Sequence, residues 1–120
     1  MDNYLILLHE SDKMPELPEP EMMALFGRYV AWRQRLLDSG KYLGSNKLED
    51  NTGRVIRLRD GQIRLMDGPF TETKDLIGGY FLVQAESYEG AVALCDNSPH
   101  LEFGTIEIRR VDRMAPPATA

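Results

Sequence analysis

The apolar residues of this chain fall into two patterns, one typical of strands and one typical of helices. Tyr4 to Leu8 is a continuous apolar run, which is typical of a central strand covered on both faces. Between Glu19 and Ser39 apolar residues recur at helical spacing, and Gly40 follows where a left-handed helix end is favoured. The helical stripe consists of Met22, Leu25, Phe26, Tyr29, Val30, Leu36 and Leu37; Arg33 interrupts it and Trp32 lies at its edge.

The second half of the chain predicts a hairpin, a helix and two further strands. Arg54–Arg59 and Gln62–Met66 flank Asp60-Gly61, a dipeptide that favours a two-residue type I′ turn. Leu43 to Leu48 is interpreted as a short irregular crossing. The remaining predicted elements are a strand from Gly79 to Ala85, a helix from Tyr88 to about Asp96 with Ser87 as N-cap, and a strand from Thr105 to Val111.

The order β-α-β-β-β-α-β predicts an α+β fold, the ferredoxin-like split βαβ arrangement with an added β-hairpin. Residues 1–113 are predicted to form a single domain, and residues 114–120 a disordered C-terminal tail. Such a sheet carries both helices on one face, and a chain of 120 residues has no third layer for the other. We therefore predict that a second copy covers that face, as a twofold homodimer.

The net charge of the chain is −5, which argues against a nucleic-acid-binding surface. Arg54, Arg57, Arg59 and Arg64 do cluster on the predicted hairpin, either as a solvated strand face or as an anion-binding or interface surface.

The cysteine content and the hydropathy of the chain bear on disulfides, metal sites and membrane segments. Cys95 is the only cysteine, which rules out an intrachain disulfide, and its place on an apolar stripe predicts a buried thiol. No Cys/His spacing suggests a metal site, and no cofactor is predicted. The apolar run at Tyr4 is too short for a signal peptide, and no segment is long enough to cross a membrane. The sequence thus predicts a soluble, cytoplasmic protein with no nucleic-acid or membrane partner.

The candidate chemistry centres on two histidines and one turn. His9 and His100 are the only side chains that titrate near neutral pH without perturbation. We hypothesise that at least one faces a pocket shared with Asp67, Tyr29 or Trp32, where a neighbouring carboxylate would make imidazole a general acid or base. The alternative is that both histidines are surface or capping residues and that Asp67 only holds its turn.

The turn after Asp67 adds further candidates. Phe70 fills the core beneath the turn or contacts a ligand, and Glu72 and Lys74 form a surface ion pair or leave Lys74 to bind an anion. Tyr29 and Trp32 either pack in the core or form an aromatic wall for a flat ligand. The candidate catalytic residues are His9, His100, Asp67 and Tyr29, and the candidate ligand-binding residues are Trp32, Phe70, Glu72 and Lys74.

Several motifs together resemble a known family. They are Asp67-Gly68-Pro69-Phe70-Thr71-Glu72-Thr73-Lys74, Gly78-Gly79-Tyr80-Phe81, Tyr4-Leu5-Ile6-Leu7-Leu8-His9-Glu10, Leu43-Gly44 with Lys47-Leu48, and Pro99-His100-Leu101 with Ile106-Glu107-Ile108-Arg109. The chain is similar, over nearly its whole length except the tail, to the DGPF branch of the YCII-related family. The resemblance implies ferredoxin-like subunits that form a dimeric α+β barrel.

The resemblance implies less about activity. Some YCII-type relatives are considered enzymes that use a His–Asp pair, among them a dehydrochlorinase of a chlorinated aromatic compound. Their histidine lies early in the first helix, at a position equivalent to the neighbourhood of Tyr29; this helix contains no histidine, so the pair is not carried over intact. Genes of the DGPF branch also accompany extracytoplasmic-function sigma factors, which implies a regulatory setting.

Two functional hypotheses follow. The first is a small-ligand-binding or regulatory dimer, with a sigma factor as a further partner; the acidic residues between Glu10 and Glu21 would suit a basic partner surface. The alternative is a cofactor-independent small-molecule enzyme, similar to a lyase or dehydrochlorinase, with a His/Asp/Tyr acid–base cluster.

Overall fold

The structure is a computed structural model that describes residues 1–11, 16–68 and 75–113. Its elements are β1 (Asp2–Ser11), α1 (Glu19–Asp38), β2 (Tyr42–Lys47), β3 (Arg54–Arg59), β4 (Gln62–Asp67), β5 (Asp75–Ala85), α2 (Tyr88–Cys95), a short 3-10 helix (Pro99–Glu102) and β6 (Gly104–Arg110). This α+β architecture confirms the predicted fold class. The predicted tail lies outside the described residues.

The main sheet has four antiparallel strands in the order β2-β5-β1-β6, which is the strand order of a ferredoxin-like split βαβ unit. The interpretation of residues 43–48 as an irregular crossing is wrong, because β2 pairs with β5 from Tyr42 opposite Val83 to Lys47 opposite Gly79. Gly44, Ser45 and Asn46 disfavour strands. Ladder pairing at the edge of the sheet decides their conformation instead.

The predicted hairpin is confirmed, and it forms a two-stranded sheet of its own from β3 and β4. Asp60 and Gly61 have φ values of 52° and 75°, as a type I′ turn requires at both central residues. At the other end the Gly68 N–H donates to the Gly53 carbonyl at 2.9 Å. The hairpin is thus closed at both ends as an insertion between β2 and β5.

Both α-helices pack on one face of the main sheet. The core joins Trp32 and Leu36 of α1 and Ala91 and Cys95 of α2 to the β1 residues Tyr4, Ile6 and Leu8 and the β5 residues Phe81, Val83 and Ala85. Because side chains alternate along a strand, Leu5 and Leu7 lie on the opposite face, which no helix in the described part of the chain covers.

The helix α1 is rotated relative to the predicted stripe. Trp32, predicted at the stripe's edge, is fully buried, whereas Met22, Phe26 and Val30 are 46%, 64% and 47% exposed. The indole Nε1–H donates to the Leu94 carbonyl at 2.9 Å, and the Trp32 ring centroid lies 4.4 Å from that of Phe81. Trp32 therefore occupies the centre of the core, where its large ring is buried and its indole N–H has a hydrogen-bond acceptor.

Two further expectations concern Cys95 and membranes. The Cys95 thiol is buried, as predicted, and this burial, with a smaller contribution from Asp96, raises its pKa to about 11. A protonated, enclosed thiol is a poor nucleophile.

Within the described ranges, no helix is both long and apolar enough to span a bilayer.

Candidate functional site

His100 and Tyr29 meet beneath the first helix. The Tyr29 hydroxyl and His100 Nδ1 are 2.8 Å apart, and His100 Nε2 lies 2.8 Å from the carbonyl oxygen of His9. A carbonyl can only accept a hydrogen bond, so Nε2 carries a proton. In the neutral ring, Nδ1 is then the acceptor and the Tyr29 O–H donates to it. His100 is 1% exposed, and its ring links α1 to the centre of the sheet.

Local sequence places the imidazole. The Ser98 hydroxyl accepts from the His100 N–H at 3.3 Å, and Pro99 supplies the first residue of the 3-10 helix. Gly104 then opens β6 directly beside the ring. A Cβ on Gly104 would clash with the His9 carbonyl oxygen and lie 2.7 Å from His100 Nε2. Glycine at this position therefore leaves the space in which the imidazole reaches the strand.

Glu10 brings a carboxylate to the same end of the sheet. The pairing of β1 with β5 shifts between Leu8 and His9, so that Gly78 is an extra residue in β5, as in a β-bulge. A Cβ on Gly78 would clash with the Glu10 carboxylate, whose Oε2 would lie 2.8 Å from it. The bulge and its missing side chain thus make room for Glu10 on the sheet.

Burial, followed by the negative charges of Glu10 and Glu102, raises the pKa of Tyr29 to about 12, and Arg28 opposes this only in part. The Tyr29 phenol is therefore protonated, and a hydrogen-bond donor, across the physiological range. Arg28 forms an ion pair with Glu102, and its hydrogen bond lowers the Glu102 pKa. This ion pair is a second link between α1 and the 3-10 helix. Arg28 directly precedes Tyr29 in the sequence, and Glu102 lies two residues after His100.

The His9 side chain occupies the other face of the sheet. His9 Nε2 lies 2.8 Å from Glu107 Oε1, and Arg109 approaches the same carboxylate at 3.7 Å. Leu7 stands directly opposite Glu107 in the ladder, so these polar groups share the uncovered face with Leu7. His9 therefore binds His100 through its backbone carbonyl, whereas its imidazole contacts Glu107 on the uncovered face.

The remaining candidates are dispersed or outside the described part. Asp67 closes β4, where its carboxylate forms an exposed ion pair with Arg54 at 3.3 Å. Trp32 lies in the core. The predictions for Phe70, Glu72 and Lys74 fall on residues outside those that the structure describes.

Among the sequence-predicted candidates, the contacts bring together Tyr29, His100 and the backbone of His9. Sequence reasoning did not select Glu10, although the Gly78-Gly79 pair in the facing strand is the kind of signal that marks a bulge. We refer to Glu10, Tyr29 and His100 as the phenol–imidazole cluster. It offers a phenol oxygen oriented by the imidazole and a carboxylate; both can accept a hydrogen bond from a small polar molecule, and the carboxylate can also accept a proton. Among the described residues, no three His, Cys, Asp or Glu side chains gather as a metal site would require.

Comparison with known proteins agrees with this architecture. The family profile of the YCII-related domain matches residues 3–115. The chain belongs to the YCII-related family. A search of curated proteins returned no significant match. The match does not specify the DGPF branch of the family, which stays a prediction from the motifs.

One solved structure shares the fold of this YCII-related domain at low sequence identity. It is the 5-chloro-2-hydroxyhydroquinone dehydrochlorinase TftG from Burkholderia phenoliruptrix AC1100, in complex with 2,5-dihydroxybenzoquinone. The TM-score is 0.53 at 14% identity, over 92% of this chain and 93% of that chain. At this identity the likeness shows a common fold.

Proposed function

We propose that this YCII-related domain binds a small hydroxylated ring compound at the phenol–imidazole cluster. The observation that carries the proposal is the 2.8 Å hydrogen bond between the half-buried Tyr29 hydroxyl and the buried His100 Nδ1. A hydroxyl held by a fixed imidazole is pre-oriented, which lowers the cost of ordering it around a ligand. Glu10 supplies an acceptor for a ligand hydroxyl. The compound bound by the fold neighbour, 2,5-dihydroxybenzoquinone, is a ring that carries hydroxyl groups.

Acid–base catalysis is the second candidate. It is favoured by the dehydrochlorinase activity in the name of the fold neighbour and by the negative charge of Glu10, which acts on Tyr29 and helps to raise its pKa. In this version Glu10 takes the place expected for Asp67, because Asp67 pairs with Arg54 on the hairpin. Since both His100 nitrogens are engaged by Tyr29 and His9, the ring orients the phenol, and Glu10 is the group available to accept a proton.

Titration calorimetry with 2,5-dihydroxybenzoquinone tests the binding proposal. Tyr29→Phe keeps the ring but removes the hydroxyl, so we expect at least about a tenfold loss of affinity, as for one lost hydrogen bond to a polar ligand. Tyr88→Phe is the matched control, because the Tyr88 hydroxyl accepts from the backbone N–H of Arg110 at the other end of β6, away from the cluster. The proposal is contradicted if Tyr29→Phe binds 2,5-dihydroxybenzoquinone with unchanged affinity. It is also contradicted if the wild type gives no heat of binding at a millimolar concentration of this compound.

Chloride release separates catalysis from binding in the same samples. If the domain is an enzyme of the neighbour's type, it should release chloride from 5-chloro-2-hydroxyhydroquinone above the spontaneous rate, and Glu10→Gln should abolish the excess. If it is a binding module, the chlorinated compound is recovered unchanged while the calorimetric result for Tyr29→Phe still holds.

We also propose that two copies pair through the uncovered sheet face to form the dimeric barrel. Leu5 and Leu7 lie there beside Leu82 and Tyr80, their direct partners in β5, so a half-buried apolar strip is available. Glu107 and Arg109 lie on the same face. In a twofold interface Glu107 of one copy would face Arg109 of the other, and the reverse, so the two charges make the face self-complementary. A sigma-factor partner stays a prediction of the sequence motifs.

Analytical ultracentrifugation tests the pairing. Leu7→Glu places a carboxylate in the middle of the apolar strip, next to Glu107, so we expect the wild type to sediment as a dimer at micromolar concentration and Leu7→Glu as a folded monomer. Val92→Glu is the control, because Val92 is 52% exposed on α2 and should leave the dimer intact. A monomeric wild type would rule out the barrel.

A further inference from the structure

A bulge in the edge strand β2 puts two polar side chains on the same face of the sheet. Tyr42 stands opposite Val83 in the ladder. Ser45 stands opposite Phe81, because the register shifts after Tyr42 and leaves Leu43 as an extra residue. Val83 and Phe81 both belong to the core on the helix-covered side, and directly opposed residues point the same way. In a regular strand residues three apart point to opposite faces, so the bulge is what brings Ser45 to the side of Tyr42.

Arg33, Tyr42 and Ser45 form a hydrogen-bonded group where α1 meets β2. The Tyr42 and Ser45 hydroxyl oxygens are 2.6 Å apart, and Arg33 Nε donates to the Tyr42 hydroxyl at 3.1 Å. The Arg33 guanidinium carbon lies 5.1 Å from the centroid of the Tyr42 ring, and that ring packs edge-on against Phe81 with centroids 6.2 Å apart. Tyr42 and Ser45 are half-buried and Arg33 is exposed. We call these three residues the edge phenol group.

The edge phenol group favours the ionised form of Tyr42. Burial raises the pKa of Tyr42, but the hydrogen bonds with Ser45 and Arg33, together with the positive charge of Arg33, outweigh burial and lower this pKa below its ordinary value. Both neighbours can donate to a phenolate oxygen. A lowered pKa activates a side-chain hydroxyl as a nucleophile. Tyr42 is therefore tuned in the opposite direction to Tyr29, whose pKa is raised by burial to about 12.

Arg33 also offers donors beside the phenol. Its Nε–H is engaged by Tyr42, and its two Nη groups have no hydrogen-bond partner in the part of the chain that the structure describes. A guanidinium next to a nucleophile can donate to the carbonyl oxygen that becomes negative when the carbonyl carbon is attacked. The edge phenol group thus combines a nucleophile with a donor for the oxyanion, as acyl transfer requires.

We propose that Tyr42 is a covalent modification site that takes an acyl group from a small activated acyl donor, with Arg33 and Ser45 stabilising the attacking phenolate. The Tyr42 oxygen forms a bond to the carbonyl carbon, and the bond from that carbon to the leaving group breaks. The leaving group departs with the bonding electron pair and takes up the proton that Tyr42 lost. The product is an aryl ester, which has no phenolate for Arg33 to bind, so acylation alters the contact between α1 and β2.

Acetylation of the full chain with N-acetylimidazole, followed by peptide mass spectrometry, tests the site. Neutral hydroxylamine cleaves the aryl ester of an acetylated tyrosine but not the amide of an acetylated lysine, so the hydroxylamine-sensitive signal reports tyrosines alone. Tyr88 is 44% exposed and Tyr42 is half-buried, so exposure by itself would favour Tyr88. We expect Tyr42 to be acetylated first. The test uses none of the residues of the phenol–imidazole cluster, so its outcome is independent of the proposed function.

Variants of the two neighbours test what activates Tyr42. Arg33→Gln should slow Tyr42 acetylation at least about tenfold, because a charge-assisted hydrogen bond to the phenolate is lost, and should shift the onset of the reaction to higher pH. Arg35→Gln removes the same charge from α1, where Arg35 reaches the Asn97 carbonyl instead, and should change the rate by less than about twofold. Ser45→Ala should slow the reaction about threefold, and Ser45→Thr, which keeps the hydroxyl, should restore it.

Tyr4 reports unfolding in the same samples. It is 1% exposed and should be acetylated only when the core opens. If Arg33→Gln exposes Tyr4, the comparison of Ser45→Ala with Ser45→Thr decides the question.

Three results would overturn the proposal. The first is acetylation of Tyr88 before Tyr42 in the wild type. The second is an equal effect of Arg33→Gln and Arg35→Gln on the rate at Tyr42 while the core stays closed. The third is an unchanged rate at Tyr42 in Ser45→Ala.

Discussion

Trp32→Ala is expected to lower the free energy of unfolding by about 3–5 kcal/mol, as removal of a fully buried Trp or Phe side chain does. Trp32 is 0% exposed and packs between both helices and the sheet. Its removal leaves a cavity against Phe81 and deprives the Leu94 carbonyl of the indole donor. Urea unfolding followed by circular dichroism measures the change.

Phe26→Ala on the same helix is the matched control. Phe26 belongs to the stripe predicted from sequence, yet it is 64% exposed, so its truncation should cost less than about 1 kcal/mol. If Phe26→Ala were as costly as Trp32→Ala, the orientation of α1 would be wrong, and the contact between Tyr29 and His100 would lose its basis.

His100→Ala is expected to lower the free energy of unfolding by about 2–4 kcal/mol, through a buried cavity and two broken hydrogen bonds. The Tyr29 hydroxyl loses its acceptor and the His9 carbonyl its side-chain donor. Urea unfolding again provides the measurement. His100→Gln retains an amide that can donate to the His9 carbonyl and should recover part of the loss.

Leu101→Ala is the control for that experiment, because Leu101 follows His100 in the 3-10 helix but is 51% exposed. It should cost less than about 1 kcal/mol. Equal costs for the two alanine variants would show that the 3-10 helix responds to any truncation and that the imidazole hydrogen bonds contribute nothing of their own.

The fold separates the tasks of its two histidines. His100 is enclosed on the helix-covered side, where it orients Tyr29, whereas the His9 side chain lies on the face proposed for dimerisation, in contact with Glu107. A substitution at His9 would therefore report on association, and one at His100 on the stability and ligand affinity of the protomer. The two measurements keep the dimer and the ligand site experimentally distinct.

The sequence by itself determined the features that depend on near neighbours. The hairpin follows from Asp60-Gly61 because only a few residues tolerate positive φ at both turn positions. The second helix begins at its Ser87 cap, whose hydroxyl accepts from the Gly90 N–H, and the burial of Cys95 follows from the apolar stripe around it. The element order was sufficient for the ferredoxin-like class because few topologies accommodate two helices between strands.

Only the tertiary structure decided the features that depend on distant partners. β2 is a strand because β5 offers it a hydrogen-bonding edge, which overrides the weak strand propensity of Gly44, Ser45 and Asn46. Trp32 takes the core position because of the space between helix and sheet. His100 meets Tyr29, 71 positions away, and the bulge at Gly78 leaves room for the Glu10 carboxylate at the same end of the sheet. Periodicity reports which residues share a face of one element, but the packing of elements decides which of those faces meet.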